Sequence, residues 1–257
     1  MLEAVMARWN TLGRVVFFVD PDPNSQLLLV RLLAQLHSIQ AEHRNLVLMH
    51  RGEPWGEMDP GETAMETLIE DRVEAAHLEA ASIVWAAYEA PTPEAWPAIS
   101  SRWGEGLFPF LPAAGNALLE DLPSSDSGLG SSERLVLSTI GKDGATVRDV
   151  LRALHVRQAN FLDALQIEAL LRDLAGGPRP VLASSDGSID PLSFERGDRH
   201  IVLTDLGLQV LKGTIDMIEA HGIDRWWGGT HLTRTECWRW DSEAKRLLKT
   251  APVSVIT

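Results

Sequence analysis

The chain has 257 residues, of which 45% are hydrophobic, with a formal net charge of −13 and an isoelectric point near 5.0. This length and composition fit one large domain or two ordinary ones with a buried core. The acidic balance argues against non-specific binding to nucleic acid or to an anionic membrane surface. The charge is uneven, because residues 1–125 hold 7 Lys and Arg against 18 Asp and Glu. Most basic side chains therefore lie in the second half.

Cys237 is the single cysteine, which excludes an internal disulfide and a cysteine-based metal cluster. A reducing, cytoplasmic setting fits this composition. The first residues lack the apolar core of a signal peptide. No run of the sequence approaches the roughly 18 apolar residues of a membrane span. We therefore expect a cytoplasmic protein that does not contact a membrane.

A strand, a turn and a helix organise the first half. The unbroken apolar run of residues 15–19 predicts a strand buried on both faces, as in a parallel sheet. An acidic, proline-containing turn follows at residues 20–23, and Asn24 or Ser25 is expected to cap the apolar helix after it. Residues 45–50 predict a second strand. Together these segments indicate a βαβ unit with a right-handed crossover.

Helices are expected to follow this unit, over residues 63–71 and 75–90, with a short one starting at Pro93 and another from Pro112. Residues 122–132, with the sequence LPSSDSGLGSS, are polar, small and rich in glycine, which indicates a domain boundary or an exposed linker. We therefore assign residues 1–124 to an α/β unit with a helical extension. Residues 125–257 form the second domain.

The second domain is predicted to have a winged-helix-like layout of three helices, a two-stranded wing and a closing helix. Ser131 or Ser132 caps the first helix, and Thr146 opens the second. The third helix, the two strands and the closing helix are expected at residues 159–174, 180–184, 200–203 and 204–220. With the first half, this gives an α+β fold class.

The end of the chain is rich in tryptophan, with four of the nine Trp residues between positions 226 and 240. Apolar and polar side chains alternate over residues 237–241, which predicts a strand or hairpin. This hairpin covers the core, or it offers a cation–π or stacking platform. Cys237 is expected to be packed among these aromatic side chains rather than reactive.

Several short motifs follow one another from about residue 15 to residue 241. They comprise an aromatic strand before two acids, a helix with Trp-Ala-Ala-aromatic and a Pro-x-Pro end, a Gly-Leu-x-x-x-Glu-Arg segment and a final Trp-Arg-Trp-Asp. In this order they resemble a bacterial family known only as domain of unknown function 1835. The residues that carry the resemblance are Phe18, Asp20, Asp22, Gln26, Leu27, Arg72, Trp85, Tyr88 and residues 91–93, 109–111, 122–124, 128–134, 228–232 and 238–241.

The chain also departs from this family. Family members have Glu where Asp20 stands, His where Pro21 stands and Asp where Ser25 stands. They begin with a further strand–Gly-Asp-Ser–helix segment that this chain lacks. A site that needs both segments would therefore be incomplete or differently built here. Because the family has no settled function, the resemblance implies a fold and little chemistry.

The turn after the first strand is the first candidate site. If Asp20 and Asp22 converge, they can hold Mg²⁺ with Asn24 as a third oxygen ligand, or act as an acid/base pair. Alternatively, the acids lie in solvent and stabilise the start of the following helix. No glycine-rich loop is present to hold a phosphate.

Other residues add to this enzyme hypothesis. His50 at the end of the second strand and Arg72 lie where α/β proteins place ligands. His231 lies between Gly229 and the Trp-rich hairpin and is a catalytic, ligand-binding or structural residue. The eight histidines show no zinc-ligand spacing, and no nucleophile elbow or phosphate-binding motif is present.

The predicted three-helix segment suggests DNA binding. Arg, Gln and Asn at the start of a recognition helix are the residue types that read base edges, and arginines on a wing contact phosphates. Acids later in the third helix and the acidic first half oppose this hypothesis. The candidate nucleic-acid residues are Arg148, Arg152, Arg157, Gln158, Asn160 and Arg199, with Arg179 and Arg196 as further phosphate contacts.

Three functional hypotheses stay open. The leading one is a binding or regulatory module that contacts a protein, DNA or a second copy of the chain through the winged-helix-like part. The second is a small-molecule or nucleotide-binding enzyme with a carboxylate site at Asp20 and Asp22, assisted by Mg²⁺. The third is a truncated, inactive relative of a longer family.

Overall fold

The computed structural model describes residues 11, 13–43, 45–52, 69–102, 106–156, 164–185 and 199–250. Helices and small sheets alternate along these residues, which confirms the α+β class. No helix within these ranges is long and apolar enough to cross a membrane. The chain divides into two compact units, residues 1–118 and 119–257, where the sequence placed a boundary after residue 124.

Unit 1 contains the predicted βαβ arrangement. Strand β1 (Val15–Val19) pairs in parallel with β2 (Leu46–His50), and helix α1 (Pro23–Ser38) connects them. A third strand, β3 (Ile69–Arg72), pairs antiparallel with β2, so the sheet order is β1-β2-β3. The helix predicted over residues 63–71 is therefore wrong where the structure describes it. Its first six residues lie outside the described ranges.

Two local predictions about this unit are also wrong. Asp22, rather than Asn24 or Ser25, caps α1, because its carboxylate accepts hydrogen bonds from two backbone N–H groups of the first turn. Pro23 then occupies the first helical position, where a missing N–H costs nothing. Strand β1 is not buried on both faces, since the side chain of Phe18 is 63% exposed.

The other helices of unit 1 lie close to their predicted positions. Helix α2 (Ala75–Tyr88) packs against α1 through apolar side chains such as Leu78 and Val84. Helix α3 (Trp96–Arg102) begins three residues after Pro93, and α4 (Leu111–Glu120) starts one residue before Pro112. The core of unit 1 contains buried apolar side chains of α1, α2 and the sheet, such as Leu33, Val84 and Leu48.

Unit 2 begins with three helices and a small antiparallel sheet. Helix α5 (Ser131–Ile140) is followed by strand β4 (Ala145–Thr146) and helices α6 (Val147–Val156) and α7 (Ala164–Ala175). Strands β5 (Leu182–Ser184) and β6 (His200–Leu203) complete a sheet in the order β4-β6-β5. The sequence predicted two of these strands and missed β4. Apolar side chains of all three helices and of β5 and β6 form one core.

The segment before α5 is not an exposed linker, which corrects the prediction for residues 122–132. Leu122, Ser127 and Leu129 are buried. Ser124 forms a parallel bridge to Trp240, and the N–H of Trp240 donates to the carbonyl of Pro123 at 2.8 Å. The composition of this segment is that of a loop, but its backbone groups pair within unit 2.

Glycine has a packing role at the start of α5. Gly130, rather than Ser131 or Ser132, is the N-cap residue of this helix. A Cβ atom at Gly130 would lie 2.6 Å from the carbonyl oxygen of Asp121. Glycine is therefore required because the two backbone segments approach closely.

The closing part of unit 2 contains two short helices and two hairpins. Helices α8 (Asp205–Leu211) and α9 (Met217–Ala220) replace the single helix predicted over residues 204–220. Strands β7 (Asp224–Trp227) and β8 (Thr230–Thr233) form one hairpin, and β9 (Cys237–Asp241) and β10 (Arg246–Thr250) form the second. The predicted strand over residues 237–241 is confirmed.

Candidate functional site

The acidic turn after β1 stabilises the start of helix α1. One carboxylate oxygen of Asp22 accepts hydrogen bonds from the N–H groups of Asn24 and Ser25, at 2.9 and 3.1 Å. The backbone carbonyl of Asp20 accepts one from the side chain of the buried Gln26 at 2.8 Å. Among the described residues, no group of three or more His, Cys, Asp or Glu side chains is arranged to hold a metal ion. The Mg²⁺ site with Asn24 therefore stays a prediction.

His50, at the end of β2, is fully buried. Neither of its ring nitrogens has a hydrogen-bond partner among the described residues, and its ring packs against Phe110 at 6.0 Å. Burial lowers the pKa of His50, the Asp71 carboxylate opposes this effect, and nearby His77 lowers the pKa further. These surroundings favour a neutral imidazole.

His77 is a second buried imidazole near His50, and the sequence did not single it out. It lies in the first turn of α2, where its Nδ1 accepts a hydrogen bond from the N–H of Glu74 at 3.1 Å. This bond places the ring hydrogen of the neutral form on Nε2. Burial also lowers the pKa of His77, against the opposing charges of Asp71 and Glu74. A polar residue three positions after a helix N-cap was the available signal.

Arg72 and His50 are not brought together. In the β2–β3 register, His50 lies opposite Ile69 and Arg72 lies opposite Val47. Three positions of an alternating strand separate the two, so their side chains leave opposite faces of the sheet. Arg51 is instead buried beside His50, 6% exposed. Among the described residues, Gln26, His50 and Arg51 are the buried polar residues near this sheet edge.

The predicted nucleic-acid residues of α6 are exposed. Arg148 and Arg152 both lie at the surface, and Arg152 forms an ion pair with Asp149 at 3.4 Å. Arg199 donates to the hydroxyl of Ser184 at 3.0 Å, between β6 and β5. The predicted residues Arg157, Gln158, Asn160 and Arg196 lie outside the described ranges.

The described surface of α7 is not basic. Gln166, Ala169 and Asp173 are exposed at the helical spacing of one face. Arg172 is paired with Glu168 on the same helix. The charged residues of α7 therefore sum to one net negative charge.

A cavity of about 550 Å³ runs along α5, a size typical of small-molecule pockets. Arg134 lines it and donates to the Ser127 hydroxyl at 2.8 Å and to the Asp126 carboxylate at 3.2 Å. Burial acts to raise the pKa of Asp126, but hydrogen bonding with Ser124 and the charge of Arg134 outweigh it and lower that pKa. The cation is thus balanced by a neighbouring acid, and the cavity does not select an anion.

Two partly buried charge pairs that the sequence did not reveal involve arginines of the hairpins. Arg225 donates to Glu133 at 2.9 Å and to the backbone carbonyl of Asp121 at 3.2 Å, which joins β7 to the start of α5. Arg239 forms a two-point hydrogen bond with Asp216 at 2.5 and 2.8 Å. Such pairs separated by many residues have no local sequence pattern.

His231 lies on the exposed side of the β7–β8 hairpin. Its Nε2 is hydrogen-bonded to the Asp224 carboxylate at 2.7 Å, and its ring stacks on Trp226 with centroids 4.5 Å apart and an angle of 8° between planes.

Cys237 is buried, and burial raises the pKa of its thiol, so the neutral thiol is favoured.

No protein-family model matches the chain, and a search of curated proteins found no match. The resemblance to the family of unknown function 1835 therefore stays a prediction.

Proposed function

We propose that the chain is a binding module that contacts a protein partner through a winged-helix-like part of unit 2. The observation that carries this proposal is the order of elements in unit 2, which is α5, β4, α6, α7, β5 and β6. The three strands form an antiparallel sheet in the order β4-β6-β5. Three helices followed by a hairpin that pairs with an early short strand is the layout of winged-helix modules. Such a layout leaves one face of the third helix exposed for recognition.

Charge favours a protein partner over DNA. A recognition helix that enters the major groove needs side chains that donate to bases and phosphates. The described face of α7 instead presents Gln166, Ala169 and Asp173. On α6, the charge of Arg152 is partly balanced by Asp149. The chain as a whole carries −13, which repels a phosphate backbone.

Site-specific photo-crosslinking tests the proposal. A photoreactive phenylalanine derivative replaces Ala169 on α7 or, as a matched control, Glu243, which is exposed in the turn between β9 and β10. We expect a discrete protein adduct from position 169 that is absent from position 243. The adduct should disappear when Gln166→Arg is added, because this change places a new charge in the contact, and should persist with Glu243→Arg in its place.

Two outcomes would contradict this proposal. One is the same set of adducts at positions 169 and 243. The other is a salt-sensitive shift of duplex DNA in gels that Arg148→Ala with Arg152→Ala removes, which would assign the surface to DNA instead.

A second candidate function, a small-molecule site in unit 1, is supported by the buried polar residues at the carboxyl ends of β1 and β2. In α/β proteins this edge is where ligands bind. Gln26 Oε1 and both nitrogens of His50 lack partners within the described residues, so a bound ligand could satisfy them. A thermal-shift screen with nucleotides and Mg²⁺ tests it, since a ligand raises the melting temperature and His50→Leu should abolish the rise.

A further inference from the structure

Trp226 stands out among the tryptophans in the described ranges. Its side chain is 66% exposed, whereas Trp96, Trp227, Trp238 and Trp240 are buried and Trp85 is half-buried. Exposed tryptophan is uncommon on surfaces that stay in water, and tryptophan is enriched among the residues that dominate binding energy at interfaces. Its position therefore points to an interaction surface.

The ring of Trp226 is held in place on one side. His231 lies directly opposite in the β7–β8 register and stacks on it, nearly parallel, at 4.5 Å. The Asp224 carboxylate, 2.7 Å from His231 Nε2, fixes the orientation of the imidazole. Asp224, Trp226 and His231 thus form an ordered surface, which we term the Trp226 platform. The order of these side chains reduces the entropy lost on binding.

The opposite side of the same strand anchors the platform to unit 2. Side chains alternate along β7, so Arg225 and Trp227 point away from the platform. Arg225 donates to Glu133 at the start of α5, and Trp227 is 7% exposed. The strand that presents Trp226 is therefore supported by a partly buried ion pair and by the core.

Charge around the platform selects the partner. The Asp224 side chain is 85% exposed and lies on the same strand face as Trp226, two residues away. This spacing is roughly 7 Å, within reach of one long side chain. Two of the cations that follow the β7–β8 hairpin in sequence have partners of their own. Arg234 donates to the backbone carbonyl of Glu219, and Lys249 lies 3.8 Å from the exposed Glu236 carboxylate. An aromatic face next to an exposed carboxylate is complementary to a cation.

We propose that the Trp226 platform binds an arginine side chain from a basic segment of a partner protein. The guanidinium group stacks on the free face of Trp226 and donates hydrogen bonds to Asp224. A planar guanidinium satisfies both features at once, which a neutral aromatic group does not. This surface is distinct from the exposed face of α7, and the proposal does not rest on the winged-helix-like function.

Nuclear magnetic resonance of the full chain, uniformly labelled with ¹⁵N so that indole and backbone amide signals are both visible, tests the proposal. The probe is a short blocked peptide with arginines separated by glycines, and the control peptide carries citrulline, which has nearly the same shape without the charge. The Trp226 indole signal is assigned from its loss in Trp226→Leu. We expect the arginine peptide to shift this signal in a saturable way at millimolar concentration, and the citrulline peptide to leave it unchanged.

Substitutions locate the binding. Since an exposed cation–π contact is worth about 0.5–1 kcal/mol, Trp226→Leu should weaken binding by roughly two- to fivefold or more. Asp224→Asn should weaken it by a similar factor, and Phe18→Leu, a matched change of an exposed aromatic residue in unit 1, should have no effect. Binding to Trp226→Leu is followed through the backbone amides of β7 and β8.

Three results would overturn the proposal. They are no shift with the arginine peptide, an equal shift with the citrulline peptide, and unchanged affinity in Trp226→Leu. The second result would show that the platform binds an uncharged group.

Discussion

At the scale of single residues, His50 and His77 show how burial decides the state of an imidazole. Both lie inside unit 1, but only His77 has a hydrogen bond from a backbone N–H in the described structure. A buried polar atom without a partner costs about 1–3 kcal/mol. His50 is thus a source of instability, unless a ligand or a water molecule meets its ring nitrogens.

The two histidines predict how stability depends on pH. Burial lowers the pKa of both groups below the value near 6.5 that they have in the unfolded chain. Above about pH 7.5 both states are neutral, and neither histidine makes stability depend on pH. As the pH falls below 6.5 the unfolded chain binds protons first, so the free energy of unfolding decreases until the depressed pKa is reached.

His50→Leu should reduce this loss. We expect the variant to be more stable at neutral pH by roughly 1 kcal/mol, because an apolar side chain needs no partner, and to lose less stability between about pH 7 and pH 5.5. Urea unfolding at the two pH values measures both effects. The matched control is His37→Leu, at an exposed position. An unchanged pH dependence in His50→Leu would show that other groups cause it.

At the scale of elements, the sequence predicts what local patterns determine. The strands β1 and β2 and the helices α1 and α2 follow from apolar runs and helical spacing. Strand β3 could not be predicted, because its sequence IEDR has one apolar residue and its extended conformation depends on pairing with β2. The segment of residues 122–130 has the composition of a loop, and its burial depends on β9, more than a hundred residues away.

The candidate sites also combine features that local sequence predicts with features that depend on strand register. The position of His50 at a strand end was predictable, but its separation from Arg72 depends on the register of an unpredicted strand. The stacking of Trp226 on His231 depends on the exact pairing of two strands across a Gly-Gly turn. Side-chain pairs that depend on strand register therefore cannot be predicted from composition and spacing.

Helix α8 offers a test of close packing between elements. A Cβ atom at Gly207 would overlap the backbone carbonyl oxygen of Val181, just before β5. In an exposed helix, Gly→Ala stabilises by about 0.5–1 kcal/mol, whereas here the helix must move away from the sheet. We expect Gly207→Ala to lower the free energy of unfolding by about 1–3 kcal/mol.

Chemical denaturation of the full chain measures this effect. Gly13→Ala is the control, since a Cβ atom at that position meets nothing within 4 Å. A gain in stability on Gly207→Ala would show that α8 and the start of β5 are farther apart than the structure places them.

At the scale of the whole molecule, each unit has a core of its own. Unit 2 contains a continuous group of buried apolar side chains from α5, α6, α7, β5 and β6. Unit 1 buries Leu29, Leu33, Leu48 and Val84 among its helices and sheet. A unit with its own core should fold as a separate fragment, provided that the cut preserves its contacts.

The position of the boundary gives the sharpest test of this organisation. A fragment of residues 119–257 keeps Asp121, whose carboxylate accepts from the N–H of Ser132, and Leu122, which is fully buried. It also keeps the carbonyls of Asp121 and Ser124, which accept from Arg225 and Arg239. A fragment that begins at residue 125, the boundary predicted from composition, loses all of these groups.

The shorter fragment should therefore be less stable. Each lost hydrogen bond costs about 1 kcal/mol, and more where a charged arginine loses its acceptor, so we expect a difference of at least about 3 kcal/mol. Circular dichroism and urea unfolding of the two fragments measure it. Equal stability would show that residues 119–124 belong to unit 1 or to a linker. Greater stability of the longer fragment would show that a segment with the composition of a linker completes the core of unit 2.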